Sequence, residues 1–114
     1  MMVRNVTSTL AALTIAGAFG LSLRAADAKV ENGMQVYANQ KCSLCHSIGE
    51  KGNKKGPLDE VGSKYPAADL RAWIVDAKGM TEKTKAARKP PMKNYDLPKA
   101  DVDALVAYMA TLKK

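Results

Sequence analysis

Cys42-Ser43-Leu44-Cys45-His46 decides how the rest of this chain is read. Two thiols separated by two residues can each add across a vinyl group of a porphyrin. The histidine that follows is then held beneath the iron as its proximal ligand. These five residues hold both cysteines and the single histidine of the 114-residue sequence. Other uses of the pair fall away on chemical grounds. A structural zinc site takes four ligands, and three crowded together are all the strong ones on offer. A thioredoxin-like dithiol sits in a βαβ pattern, and none surrounds Cys42. A disulfide or chance pair beside a surface histidine is the bland alternative, and it leaves the position of the histidine to accident. The stretch points to one covalently attached haem c.

Upstream, Met1 to Thr7 carries one positive charge, Arg4, and Leu10 to Leu23 is an almost unbroken apolar run. Ala26-Asp27-Ala28 then places small residues at the two positions a signal peptidase reads. The run is shorter than the ~20 residues needed to cross a bilayer, and no cysteine follows it closely enough to carry a lipid. These features predict a cleaved signal peptide over 1–28 and a single domain over 29–114. They also predict a periplasmic location with no membrane span in the mature form. That compartment is oxidising, and c-type haem is attached there.

A domain of this size buries little, and its aromatic supply is thin: one Trp and four Tyr, the one Phe lying in the apolar run. Small scaffolds need a staple. A porphyrin tied by two thioethers and an iron bond supplies the missing apolar mass. The formal charge is +7, but no aromatic-interleaved basic stripe is present to stack bases, so nucleic acid is not expected as a partner. Steering toward acidic surfaces of redox proteins is the natural use of that charge; a basic coat kept for solubility is the alternative.

Helical periodicity organises the remainder. Val30 to Lys41 reads as a first helix, with Val30, Met34, Tyr37 and Ala38 at helical spacing and Gly33 positioned to let another helix approach. Ser47 to Val61 reads as a loop closing on Gly56-Pro57-Leu58. Pro66 opens a second helix patterned by Leu70, Trp73, Ile74 and Ala77, with Gly79 as its stop. Met80 to Leu97 is a long polar stretch with room for a helical turn around Glu82 to Arg88, and loops of such length are usually functional. Pro98 to Leu112 is the clearest helix, with Val102, Leu105, Val106, Met109 and Leu112 on one stripe. No alternating strand pattern is visible.

Taken together, these residues resemble the class I cytochromes c, the small monohaem electron carriers of bacteria. The likeness covers Gly33 to Lys113. It rests on Gly33 and Tyr37, the Cys42–His46 motif, Gly56-Pro57-Leu58, Trp73, Met92 in a proline-flanked loop, and Leu105-Val106-Ala107-Tyr108-Met109. Pro90-Pro91 stand before Met92 and Lys93 after it, whereas the family methionine is commonly followed by proline. The segment from Tyr37 to Cys42 is one residue longer than is usual there. The resemblance implies an all-α fold in which the N- and C-terminal helices cross near Gly33, Tyr37 and Tyr108. One or two middle helices and long loops then wrap the haem. It also implies that the Pro57 carbonyl accepts the Nδ1–H of His46.

The sixth ligand follows partly by elimination. With one histidine, a bis-histidine iron within the chain is impossible, leaving methionine, lysine or an open position. Met34 lies close to the motif on the first helix, and Met109 belongs to the apolar stripe. Met80 and Met92 are read as loop residues able to reach the distal face. The prolines beside Met92 lower the entropy lost in fixing its loop, and its place before the last helix is the one the resemblance requires. Met92 is therefore the expected ligand with His46, and Met80 the alternative. Trp73 either donates its indole N–H to a haem propionate or packs against the ring; Tyr95 either bonds a propionate or lines the rim.

The expected function is that of a soluble, exported, monomeric electron carrier rather than an enzyme. Lys41, Lys54, Lys55, Lys89 and Lys93 would ring its haem edge. Its partners would be a periplasmic dehydrogenase and a terminal oxidase or reductase with acidic docking surfaces. Two alternatives stand beside it. One is a haem enzyme or gas sensor with a labile distal position; the other is a dedicated cytochrome subunit of a periplasmic dehydrogenase.

Overall fold

The computed structural model describes the backbone from Ala18 and side chains from Arg24 to Lys114. Met1 to Gly17, with Arg4 and the first half of the apolar run, lie outside the described residues. The first helix, α1 (Ala18–Asn39), begins well before the expected Val30. Ala25-Ala26-Asp27-Ala28-Lys29 holds strong helix formers and no proline, so propensity alone extends the helix outward; every one of these residues is exposed. The buried face of α1 also differs from the expected stripe. Gly33 and Val36 are buried with Tyr37 beside them, whereas Met34 is 49% exposed and Ala38 faces out.

That face meets the last helix, α5 (Lys99–Thr111). A Cβ at Gly33 would run into the Ala104 carbonyl and lie 2.7 Å from Tyr108 Cβ. Only glycine permits this approach. It brings the Tyr37 and Tyr108 rings edge to face, with centroids 6.0 Å apart and planes at 82°, as the resemblance implied. Between these helices and the middle of the chain lies the core, with Val36 of α1, Leu70 and Ile74, and Val102, Leu105, Val106 and Met109 of α5.

After α1, Lys41 adopts a left-handed conformation (φ 56°) and turns the chain into a 3-10 turn at Cys42–Leu44. Ser47–Ile48 (β1) and Lys51–Gly52 (β2) then form a small antiparallel hairpin, with Ser47 opposite Gly52. This segment was expected to be loop throughout. Two residues a side are too few for an alternating pattern to be visible in sequence. α2 (Val61–Lys64) is a single turn, seated on the end of α5 by the Gly62 amide, which donates to the Leu112 carbonyl at 2.8 Å.

The expected second helix is two helices. α3 (Ala67–Val75) starts after Pro66, and α4 (Ala77–Thr84) follows at once. Gly79 does not end a helix; it lies in the first turn of α4, where its amide donates to the Asp76 carboxylate at 3.1 Å. Asp76 thus breaks the first helix and caps the second. Consequently Met80 is not a loop residue. It sits on α4, 6% exposed. Lys85, left-handed at φ 56°, ends α4, and residues 86–98 follow as a strap without regular secondary structure. The Tyr95 amide ties this strap to the Ile74 carbonyl at 2.9 Å, and Asn94 Oδ1 accepts from the Lys78 amide at 2.9 Å. On the far side, Asp103 of α5 pairs with Arg71 of α3 and, at 2.8 Å, with Lys99. These two cations hold its carboxyl down at about 2. The folded chain is predominantly helical, with α1 and α5 crossed and the strap closing one side.

Candidate functional site

The end of α1, the Cys42 turn, α3 and the strap enclose a predominantly apolar cavity of about 1100 Å³. That exceeds the ~300–1000 Å³ of ordinary small-molecule sites, in a domain whose own side chains are too few to fill it. Cys42, Cys45, His46 and Met92 all line it. Both cysteines are free, Cys42 half-buried and Cys45 exposed. Burial pushes the Cys42 thiol above its ordinary pKa.

His46 is oriented by the loop that follows it. Its Nδ1 lies 3.0 Å from the Gly56 carbonyl. A carbonyl oxygen only accepts, so Nδ1 carries the proton and Nε2 is left with a free lone pair. Burial is the main influence pushing the imidazole below its ordinary pKa. The Gly56 bond opposes that shift, and the Arg88 charge adds to it. The resulting neutral ring is the form that ligates metal.

The acceptor is therefore Gly56 and not Pro57, which the resemblance had pointed to. The Ser47 amide also donates to the Gly56 carbonyl, at 3.1 Å, and the Leu58 amide donates to the Ser47 carbonyl at 2.8 Å. This ladder fixes Ser47, 2% exposed, against the loop and turns the preceding carbonyl, rather than that of Pro57, toward the imidazole. Pro57 still lines the cavity. A side chain at position 56 would strike the Cys45 carbonyl and stand 3.0 Å from the Arg88 guanidinium carbon.

Met92 also lines an outer groove of about 550 Å³ that it shares with Lys78, Lys89 and Lys93. Met80 does not line the cavity. Two polar atoms among the cavity-lining residues are buried without a hydrogen-bond partner, Trp73 Nε1 and Tyr37 Oη. Burial pushes Tyr37 up to about 12. Buried indole and phenol groups are normally satisfied, so two orphans beside one cavity mark where polar atoms of a bound group belong. An apolar slot with paired thiols, a neutral imidazole and unpaired donors fits a covalently attached haem.

Tyr95 lines the cavity as well, with Lys93 Nζ 4.9 Å from its ring centroid. Among the lysines expected at the edge, Lys41 and Lys93 line the cavity and Lys89 the groove. Lys54 is paired with Glu50 at 2.6 Å. Sequence reading missed Gly56 as the acceptor and passed over Arg88 as one basic residue of a polar stretch. A backbone carbonyl leaves no residue-type signature, and nothing local marks Arg88 as reaching Gly56.

A family model described as Cytochrome c matches residues 30–113 of this chain. Over 90 residues the chain is 29% identical to cytochrome c oxidase subunit 2 of Alkalihalophilus pseudofirmus, a match covering 71% of this chain. It spans 25% of that longer relative. No solved structure matches.

Proposed function

Because the chain belongs to the cytochrome c family, whose members carry covalent haem c in electron transfer, we propose that it is an exported one-electron carrier with His46 and Met92 as axial ligands. The observation that carries this reading is the gathering of Cys42, Cys45, His46 and Met92 around one cavity whose neighbouring Trp73 and Tyr37 hold unpaired donors. When bound, the haem supplies a one-electron iron couple. Cys42 and Cys45 anchor it as thioethers. His46 offers Nε2 while Gly56 holds the ring, an outer hydrogen bond of the kind that raises ligand basicity. Met92 offers a thioether sulfur, which favours the reduced state. With both axial positions taken by side chains, no place is left for a substrate, and the protein carries electrons without catalysing a reaction.

The Leu10 to Leu23 run and Ala26-Asp27-Ala28 support export to the periplasm by a signal peptide over 1–28. No helix among the described residues is long and apolar enough to cross a membrane. Lys89 and Lys93 beside Met92, with Lys41 near Cys42, would steer acidic partners to this edge in weak, fast encounters. The likeness to an oxidase subunit favours a terminal oxidase among the acceptors.

The test is a redox titration of protein purified from the periplasm, with its intact mass. The account expects one haem retained through denaturation in acidified organic solvent, a chain starting near Lys29, and a single one-electron wave. Haem lost on extraction, or a ferrous form that binds carbon monoxide freely, would contradict it.

A further inference from the structure

Arg88 stands on the strap four positions before Met92, yet its guanidinium lies against Gly56, on the loop that orients His46. One side chain thus reaches from the segment carrying one expected ligand to the acceptor that fixes the other. Position 56 has no room for a Cβ beside it. Among the described residues, Arg88 makes no ion pair and no side-chain hydrogen bond. It also lines the cavity.

We infer that Arg88 sets the reduction potential of this protein, by placing a permanent positive charge beside the carbonyl that fixes the His46 ring. Oxidation removes one electron from the site and leaves one more positive charge there. A guanidinium nearby opposes that extra charge by simple Coulomb repulsion and so favours the reduced form. The side chain is exposed, so solvent screens the effect. The inference rests on the electron-carrier reading above.

The experiment compares redox titrations of the haem-loaded wild type, Arg88→Gln, Arg88→Lys and Lys113→Gln at fixed ionic strength. The weak far-red sulfur-to-iron absorption band of each oxidised protein, which reports methionine ligation, is recorded alongside. At the wild-type midpoint, Arg88→Gln is expected to raise the ferric-to-ferrous ratio about threefold to tenfold, a potential lower by ~30–60 mV for one electron. Arg88→Lys should stay within about twofold of wild type, since it keeps the charge at slightly different reach. Lys113→Gln should not move, and the far-red band should survive in every variant. An unshifted Arg88→Gln would overturn the inference, as would an equal shift in Arg88→Lys, which would assign the effect to contact instead of charge. An equal shift in Lys113→Gln would reduce it to net charge. Loss of the band in Arg88→Gln alone would make Arg88 a loop clasp and overturn its electrostatic role. A band missing from the wild type counts against the ligation reading, while the potential difference still decides the role of Arg88.

Discussion

Two methionines on the same stretch of sequence have different surroundings, and that difference separates their roles. Met92 lines the cavity, whereas Met80 is buried on α4 and does not. Met92→Ala should abolish the far-red band and open the iron to carbon monoxide or cyanide. Met80→Ala should keep both properties and instead lose ~2–5 kcal/mol of stability, the usual result of emptying a packed methionine site, read from a denaturant titration. The reverse pattern would move the ligand to Met80. Cys42, Cys45 and His46 were legible because their side chains are the chemistry and their spacing is fixed by the porphyrin. Gly56 was not, since its part is played by a carbonyl; resemblance came within one residue of it, and the Ser47 ladder decided the rest. The helical placement of Met80 was not legible because a glycine-containing polar stretch gives no helical stripe, and the Asp76 cap that makes it helical is a single side chain.

Among the elements, α5 could be read almost completely, since Val102, Leu105, Val106 and Met109 repeat at helical spacing and are all buried, while its crossing with α1 came from the resemblance alone. The hairpin and the break between α3 and α4 could not, one being too short for a pattern and the other crossed by Leu70, Trp73, Ile74 and Ala77, whose helical spacing continues past it. Gly33→Ala tests the crossing. Alanine gains ~1 kcal/mol of helix propensity, but its methyl meets the Ala104 backbone, which cannot yield unless α5 moves. Overpacking at ~1–3 kcal/mol, with loss of the Tyr37–Tyr108 pair at ~0.5–1.5 kcal/mol, outweighs the gain. A fall of several degrees in Tm is expected, and a rise would contradict the packing. Asp103 tests the α3–α5 link through pH. Its folded pKa, about 2, lies below its unfolded value near ~3.9. Its ion pairs therefore stabilise the fold fully above about pH 4 and cease to do so as the pH falls toward 2. The stability gap between wild type and Asp103→Asn, followed by circular dichroism, should close over that window; a gap that persists at pH 2 would assign it to packing.

For the molecule as a whole, composition already implied that something other than side chains fills the interior, and the structure accounts for it with a cavity of about 1100 Å³ in a small helical domain. The +7 charge said nothing about where the lysines gather, which depends on the strap carrying Lys89 and Lys93 past Met92. Oxidation by an acidic redox partner should slow steeply with added salt, since exposed charges are screened within ~10 Å at 0.1 M. Reversing Lys89 and Lys93 to Glu should slow association without altering the spectrum, and reversing Lys113 and Lys114 should do much less. Equal effects in stopped flow would leave only a basic coat kept for solubility. The carrier reading as a whole depends on both axial positions being closed by the protein's own side chains. The far-red absorption spectrum of the oxidised wild-type protein tests this most directly. The account predicts the weak sulfur-to-iron band; a spectrum without it, from fully oxidised protein at neutral pH, would contradict methionine ligation and return the distal position to lysine or to an open, reactive iron.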